Sequence, residues 1–344
     1  MNKQKGKRSV EFANPPWILA EGCAVGEKEG QGPLKQYFDE IVTDPMCGGN
    51  SWEEAESLFQ QKAAEIAMKK GKYSPEDMRY LVAGDLLGQL MATSFGLTDM
   101  QIPLFGVYGA CSTMGESLAL GSMIVEGGYA DKVLAVTSSH FASAEKQFRF
   151  PLAYGNQRPF ASTWTVTGSG AVVLGNTDDR KQKKDAGVRI TGVTTGIITD
   201  YGIKDSANMG ACMAPAAGDV ISHHFEDFNR TPADYDRIYT GDLGVIGRDI
   251  LLDILGTKNY TDLGRICDCG IEIFEPESQD TQAGGSGCGC SAVTLTGYIL
   301  HQLRKRKWKR ILFVPTGALL SPVSFNEGNT VPGIAHAIVL ESQE

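Results

Sequence analysis

Four pairs of segments recur in the same order along the chain, and this internal duplication constrains the fold more than any other feature. "YLVAGDLLG" (80–88) matches "RIYTGDLGV" (237–245), "KVLAVTSS" (132–139) matches "RILFVPTG" (310–317), "GAVVLG" (170–175) matches "HAIVLE" (336–341), and "WILAEGCAVG" (17–26) matches "VRITGVTTGI" (188–197). Each member reads as an apolar strand. Between the strands lie helical stretches at 52–70, 112–127, 215–229, 243–255 and 290–304. Strand and helix alternation implies largely parallel sheets with helices on their faces. Two such units give a layered α/β/α/β/α body with pseudo-duplicated halves, 1–178 and 186–344. The segment between them, "NTDDRKQKKDAG" (176–187), is charged and poor in apolar residues, as a solvated connection should be. Residues 140–165 lack a clear period and read as an ordered excursion. Residues 256–288 lengthen the second half.

Function is concentrated in "VYGACSTMGESLAL" (107–120). An apolar run leads into a turn of small residues, and a helix follows, so Cys111 sits at a helix N-terminus. Unpaired N–H groups and the positive end of the helix dipole favour a thiolate or a bound anion there. The remaining cysteines do not form a metal pattern. "CDC" (267–269) and "CGC" (288–290) supply four thiols, but C-x-C is tighter than the usual C-x₂₋₄-C of a zinc site. Cys267 and Cys269 are expected on one face of a strand, which suits packing. "GGSGCG" (284–289) lacks the spacing and downstream acid of a dinucleotide fingerprint, so no cofactor is expected. The basic run "HQLRKRKWKR" (301–310) reads as a solvated helix end with Leu303 and Trp308 turned inward.

The formal charge of −9 argues against sequence-independent nucleic-acid binding, which needs basic surface. The start "MNKQKGKRSVEF" has no apolar core of a secretory signal, and no segment has the length of a membrane span. The eight cysteines are therefore expected to be reduced. Any membrane attachment is expected to be peripheral and through partners.

The Cys111 segment, continued to "GSMIVEGGYADKVLAVTSS", and the strand pair "WTVTGSGAVVLG" resemble the thiolase-like superfamily of thiolases and ketoacyl-carrier-protein synthases. The resemblance implies its five-layered fold, with Cys111 at the nucleophile position. It also implies a homodimer paired through the edge strand after the nucleophile helix, here "KVLAVTSS". "EGCAVGEKEGQGPL" (21–34), "SSHFASAEKQFRFPLAYGNQRP" (138–159) and "PTGALLSPVSFNEGNTVPGIAHAIVLE" (315–341) carry a narrower resemblance, to a family of stage V sporulation proteins. That resemblance implies binding of dipicolinic acid, free or as its calcium chelate. It further implies a role in moving that ligand across the spore inner membrane, beside other membrane subunits of the same transport system.

Condensing enzymes of the superfamily pair the cysteine with two histidines, or a histidine and an asparagine, which activate the thiol and hold the oxyanion. Where the first partner is expected this chain has Gly241 and Asp242. Where the second is expected it has Gly284, Gly285 and Ser286. None of the five histidines, His140, His223, His224, His301 and His336, falls at either place. Each lost oxyanion donor costs on the order of 100–1000-fold in rate. The expectation is a binding protein on an enzyme fold, with no catalytic residue and no metal. Its site residues are Cys111, His140, Asp242, Ser286 and Thr316, with helix N-termini near Cys111 and Ser286 supplying N–H groups to the ligand. Several of these have a plainer reading: Cys111 as a buried packing thiol, His140 as a hydrogen-bonded core residue, and Asp85 and Asp242 as caps of the helices that follow. The alternative function is an active acyl-CoA condensing enzyme or acyltransferase with Cys111 as nucleophile.

Overall fold

The computed structural model describes residues 3–149, 158–180 and 185–343. Parts of the excursion at 140–165 and of the connection at 176–187 therefore lie outside the described residues. The first half contains β1 (Trp17–Gly26), α1 (Trp52–Gly71), β2 (Tyr80–Asp85), β3 (Leu104–Gly106), α2 (Thr113–Glu126), β4 (Lys132–Ser139), α3 (Phe141–Phe148) and β5 (Gly168–Gly175). The second contains β6 (Gly187–Thr195), α4 (Met209–Phe228), β7 (Arg237–Thr240), α5 (Gly244–Thr257), β8 (Ile266–Asp268) and α6 (Cys288–Val293). A π-turn at Thr294–Ile299 then leads into α7 (Leu300–Arg304), followed by β9 (Arg310–Val314) and β10 (Gly333–Gln343).

The strand order is β3-β2-β4-β5-β1 in one half and β8-β7-β9-β10-β6 in the other. In each, three parallel strands are followed by two antiparallel ones. The repeated segments occupy equivalent strands, and the halves meet where β1 and β6 pair antiparallel at Ile18–Val188 and Trp17–Arg189. The hydrogen-bonded path therefore runs through both halves and joins what the sequence presents as two sheets.

Apart from the exposed edge strand β3, the strands are largely buried on both faces, and their alternation sorts side chains between layers. On β4, Val133 and Ala135 face the central core while Leu134 and Val136 face α1. On β9, Ile311 and Phe313 face the central core while Leu312 and Val314 face the layer of α4 and α5. Met114 and Leu118 of α2, with Val293, Leu300 and Leu303 of the α6–α7 run, fill the middle. The order of layers is α1, sheet, α2 with α6–α7, sheet, α4 with α5, which is the thiolase-like arrangement.

Three expectations need correction. "KVLAVTSS" is β4, in the interior of its sheet between β2 and β5, and the open edge is β3. Helix α4 begins at Met209, ahead of the expected 215, with Pro215 inside it. Cys267 and Cys269 do not share a strand face, because β8 ends at Asp268 and a short helix, Cys269–Ile273, begins there.

Candidate functional site

The turn before α2 is built by backbone strain and small residues. Ala110 has φ of 49°, in the left-handed region that L-residues seldom occupy. Gly317 closes over the turn: a Cβ there would stand 2.2 Å from the Gly109 carbonyl oxygen. The result presents Cys111 to a narrow cleft, whose lining it joins. Leu86, Phe148, Met209, Ala318 and Leu320 give it apolar walls, and Tyr108, Thr165, Ser286, Glu145 and Arg149 supply its polar lining. Thr165 and Ser286 are neighbours because short strands at Trp164–Thr165 and Gly285–Ser286 pair in parallel.

Behind Cys111 is a buried carboxyl. Asp242 Oδ1 accepts from the Thr316 hydroxyl at 2.8 Å, and Oδ2 accepts from the Gly287 N–H at 3.0 Å. The Cys111 thiol lies near enough to this carboxyl for each to influence the other's titration. Burial pushes Asp242 up to about 7. Burial, with the Asp242 charge second, pushes the Cys111 thiol well above its ordinary range. None of the five histidines is hydrogen-bonded to the thiol.

Of the sequence-derived site residues, the structure brings Cys111, Asp242, Ser286 and Thr316 together, with Cys111 and Ser286 on the cleft surface and Asp242 and Thr316 behind it. It does not bring His140 to the cleft lining. The His140 Nδ1 caps α3 by accepting from Ala142 N–H at 3.1 Å, and Nε2 is 2.9 Å from the Pro45 carbonyl oxygen. Its ring lies against Trp52 and Phe59, and burial holds its pKa below the ordinary value.

The N–H donors expected at the two helix starts are largely committed. Ser112 and Thr113 N–H bond back to Gly109 and Ala110, Gly287 N–H goes to Asp242, and Gly289 N–H goes to the Ser139 hydroxyl. The polar lining that the sequence did not disclose is Tyr108, Thr165 and the pair Glu145 and Arg149. The E-x-x-x-R spacing on α3 was the available signal for that pair.

The two aspartates at equivalent strand ends also diverge. Asp85 accepts from Leu87 N–H and Thr93 N–H, each at 2.9 Å, serving the segment after β2. The N–H groups at the start of α5 go instead to Asp268, the residue between the two cysteines of "CDC", which accepts from Leu243 N–H at 2.9 Å and Gly244 N–H at 3.1 Å and also caps the helix Cys269–Ile273. Asp242 is thereby left to the cysteine.

A profile of the family described as stage V sporulation protein AD matches residues 6–341. The chain is 44% identical over 339 residues to stage V sporulation protein AD of Bacillus subtilis (strain 168), covering 98% of both chains. Among solved structures it is similar to 3-oxoacyl-(acyl-carrier-protein) synthase III of Aquifex aeolicus VF5, with TM-score 0.57 and 13% identity, over 95% of this chain and 99% of that one. It is also similar to human mitochondrial 3-ketoacyl-CoA thiolase in complex with CoA, with TM-score 0.58 and 12% identity, over 97% of this chain and 99% of the other. At those identities the likeness is one of fold.

Proposed function

The chain belongs to the stage V sporulation protein AD family, and on that premise we propose that it is a non-catalytic thiolase-fold protein whose cleft binds dipicolinic acid. Family membership gives it a role in sporulation. In this reading the ligand, free or as its calcium chelate, is handed on for movement across the spore inner membrane, where the protein is held peripherally by other membrane subunits. No helix among the described residues is long and apolar enough to cross a membrane, which suits attachment through partners.

The observation that carries the binding reading is the setting of Cys111, which has the buried carboxyl of Asp242 beside it and no histidine bonded to it. A condensing enzyme needs a base that removes the thiol proton and donors that receive the oxyanion. Here the charge of a buried carboxyl opposes both loss of the thiol proton and a developing oxyanion. What remains is a narrow apolar slot with three hydroxyl groups, of Tyr108, Thr165 and Ser286, and one cation in its lining, a composition that suits a flat aromatic acid. Calorimetric titration of the purified protein with dipicolinic acid and with acyl-CoA tests it. Saturable heat with the first and none with the second is expected. Turnover of an acyl-CoA that Cys111→Ser abolishes would replace this reading with the condensing-enzyme one.

The same proposal includes a homodimer. Strand β3 leaves its outer edge open with Leu104 and Phe105 exposed, and the adjacent short helix Met91–Gly96 exposes Met91 and Phe95.

A further inference from the structure

Dipicolinate carries two negative charges, yet the cleft lining contains a single cation among the described residues, and that cation is already paired. Arg149 Nε lies 3.0 Å from Glu145 Oε1, one turn away at the C-terminal end of α3, and Arg149 Nη2 donates to the Thr163 carbonyl oxygen at 3.1 Å. The two side chains are 20% and 9% exposed, so the pair is set into the wall rather than waving in solvent. Those bonds use two of the five N–H groups of a guanidinium, whose planar fork suits a carboxylate. The N–H groups at the two helix starts do not substitute for it, since most are bonded within the protein.

We infer that Arg149 is the specificity-determining cation of this cleft, and that Glu145 is an internal carboxylate which an incoming ligand carboxylate displaces from it. The inference rests on reading the cleft as a carboxylate-binding site. Displacement has an electrostatic consequence. Burial already raises the Glu145 pKa, and Arg149 is the larger of two influences that lower it; the other is Arg158. Arg158 is itself tied to Asp280, through the carbonyl oxygen at 2.8 Å and Oδ2 at 2.7 Å. Of the other titratable groups at the cleft, Tyr108 and Cys111 are both pushed upward, while Asp242 behind Cys111, pushed up to about 7, adds a pH dependence of its own that Glu145 variants leave in place. Once a ligand takes Arg149, the Glu145 pKa rises further and the group takes up a proton. Binding therefore consumes a proton, and affinity for a carboxylate falls as pH rises through the interval between the free and bound values of Glu145.

Calorimetry on the full chain decides this with two probes, dipicolinate and its neutral diamide, pyridine-2,6-dicarboxamide, at about pH 6 and about pH 8, where free carboxylates in water are ionised throughout. The wild type should prefer the acid, more so at the lower pH. Arg149→Met should weaken the acid roughly 10–100-fold, the loss of a charge-assisted pair, and leave the diamide nearly unchanged. Arg149→Lys should restore part of the acid affinity. Glu145→Gln should tighten acid binding and reduce its pH dependence. Equal loss of acid and diamide in Arg149→Met, or no loss, overturns the inference while leaving the binding reading intact, provided the wild type binds dipicolinate. Should Arg149→Met fail to fold, a Glu145→Gln variant that keeps the wild-type pH dependence overturns it equally. A wild type that binds neither probe overturns both.

Discussion

At Cys111 a strained turn faces a buried carboxyl, Asp242, and burial together with that charge pushes the thiol's pKa well up. Cys111→Ser should accordingly leave the fold intact and change dipicolinate affinity by less than about fivefold, roughly one neutral hydrogen bond. Cys111→Phe should abolish binding by filling the slot, as titration of both variants would reveal. Asp242 has a separate signature. Its folded pKa of about 7 exceeds the ordinary 3.8, so between those values the folded chain holds more proton than the unfolded chain. Stability must then fall as pH rises through that interval and level off above it. Glu29 and Glu56, pushed by burial to about 7 and about 8, act in the same direction. Denaturant midpoints from about pH 5 to about pH 8 should decline in the wild type, and less steeply in Asp242→Asn; an unchanged slope would count against the buried carboxyl. Cys111, Asp242, Ser286 and Thr316 were legible because glycine-rich turns and strand ends mark them in the sequence. Glu145 and Arg149 were not, because they lie in a segment without apolar periodicity, and nothing local says which way α3 faces.

The elements were readable where burial leaves a continuous apolar run, as in β2, β4, β7 and β9. Such a run says that a strand is covered on both faces and nothing about its lateral place, so nothing in β4 itself could correct the edge position that the resemblance implied, and β4 lies inside. The actual edge, β3, is three residues long and hidden within a longer apolar stretch. Proline misplaced the start of α4: Pro215 suits a first helical position, but the helix already runs from Met209, with Asn208 as its cap accepting from Ala211 N–H. In "CDC" the cysteines drew attention and the aspartate does the capping. Close approach between elements gives a direct prediction. Gly317→Ala would put a Cβ 2.2 Å from Gly109 O and 3.0 Å from Ser112 N, both backbone atoms of the cysteine turn. It should lower stability by about 1–3 kcal/mol, as overpacking does, and disturb the floor of the cleft. Gly256→Ala, on an exposed face of α5 with nothing within 4 Å, is the control. It should be neutral or raise stability by up to about 1 kcal/mol through helix propensity. Equal effects of the two in thermal unfolding would refute the close-approach account.

Across the whole molecule the duplication is one of sequence and topology, while the core is shared. Helix α2 of the first half packs on β10 of the second, and α6 of the second packs on β4 and β5 of the first. Residues 1–178 expressed alone should therefore bare the inner faces of their strands, bind a hydrophobic dye and lack a cooperative transition; a sharp transition would mean that the halves fold independently. The pseudo-symmetry breaks at the two ends of the strand path. At the second-half end, β8 is largely covered, with Ile266 buried against the α4–α5 layer and Asp268 buried as the cap of the helix that begins at Cys269. At the first-half end, all three residues of β3 are exposed, and Phe105 and Phe95 stand 49% and 72% open. A bare edge flanked by large apolar side chains is a pairing hazard that soluble proteins charge, shorten or cover. This edge is short but uncharged, and a second copy related by a twofold axis would continue the sheet antiparallel while burying Phe105 and its neighbours. The protein should thus sediment as a dimer at micromolar concentration. Phe105→Lys, which places a charge on the shared edge, should shift it to monomer without lowering monomer stability. A wild-type chain that sediments as a monomer, or a Phe105→Lys variant that remains fully dimeric, would remove β3 as the interface.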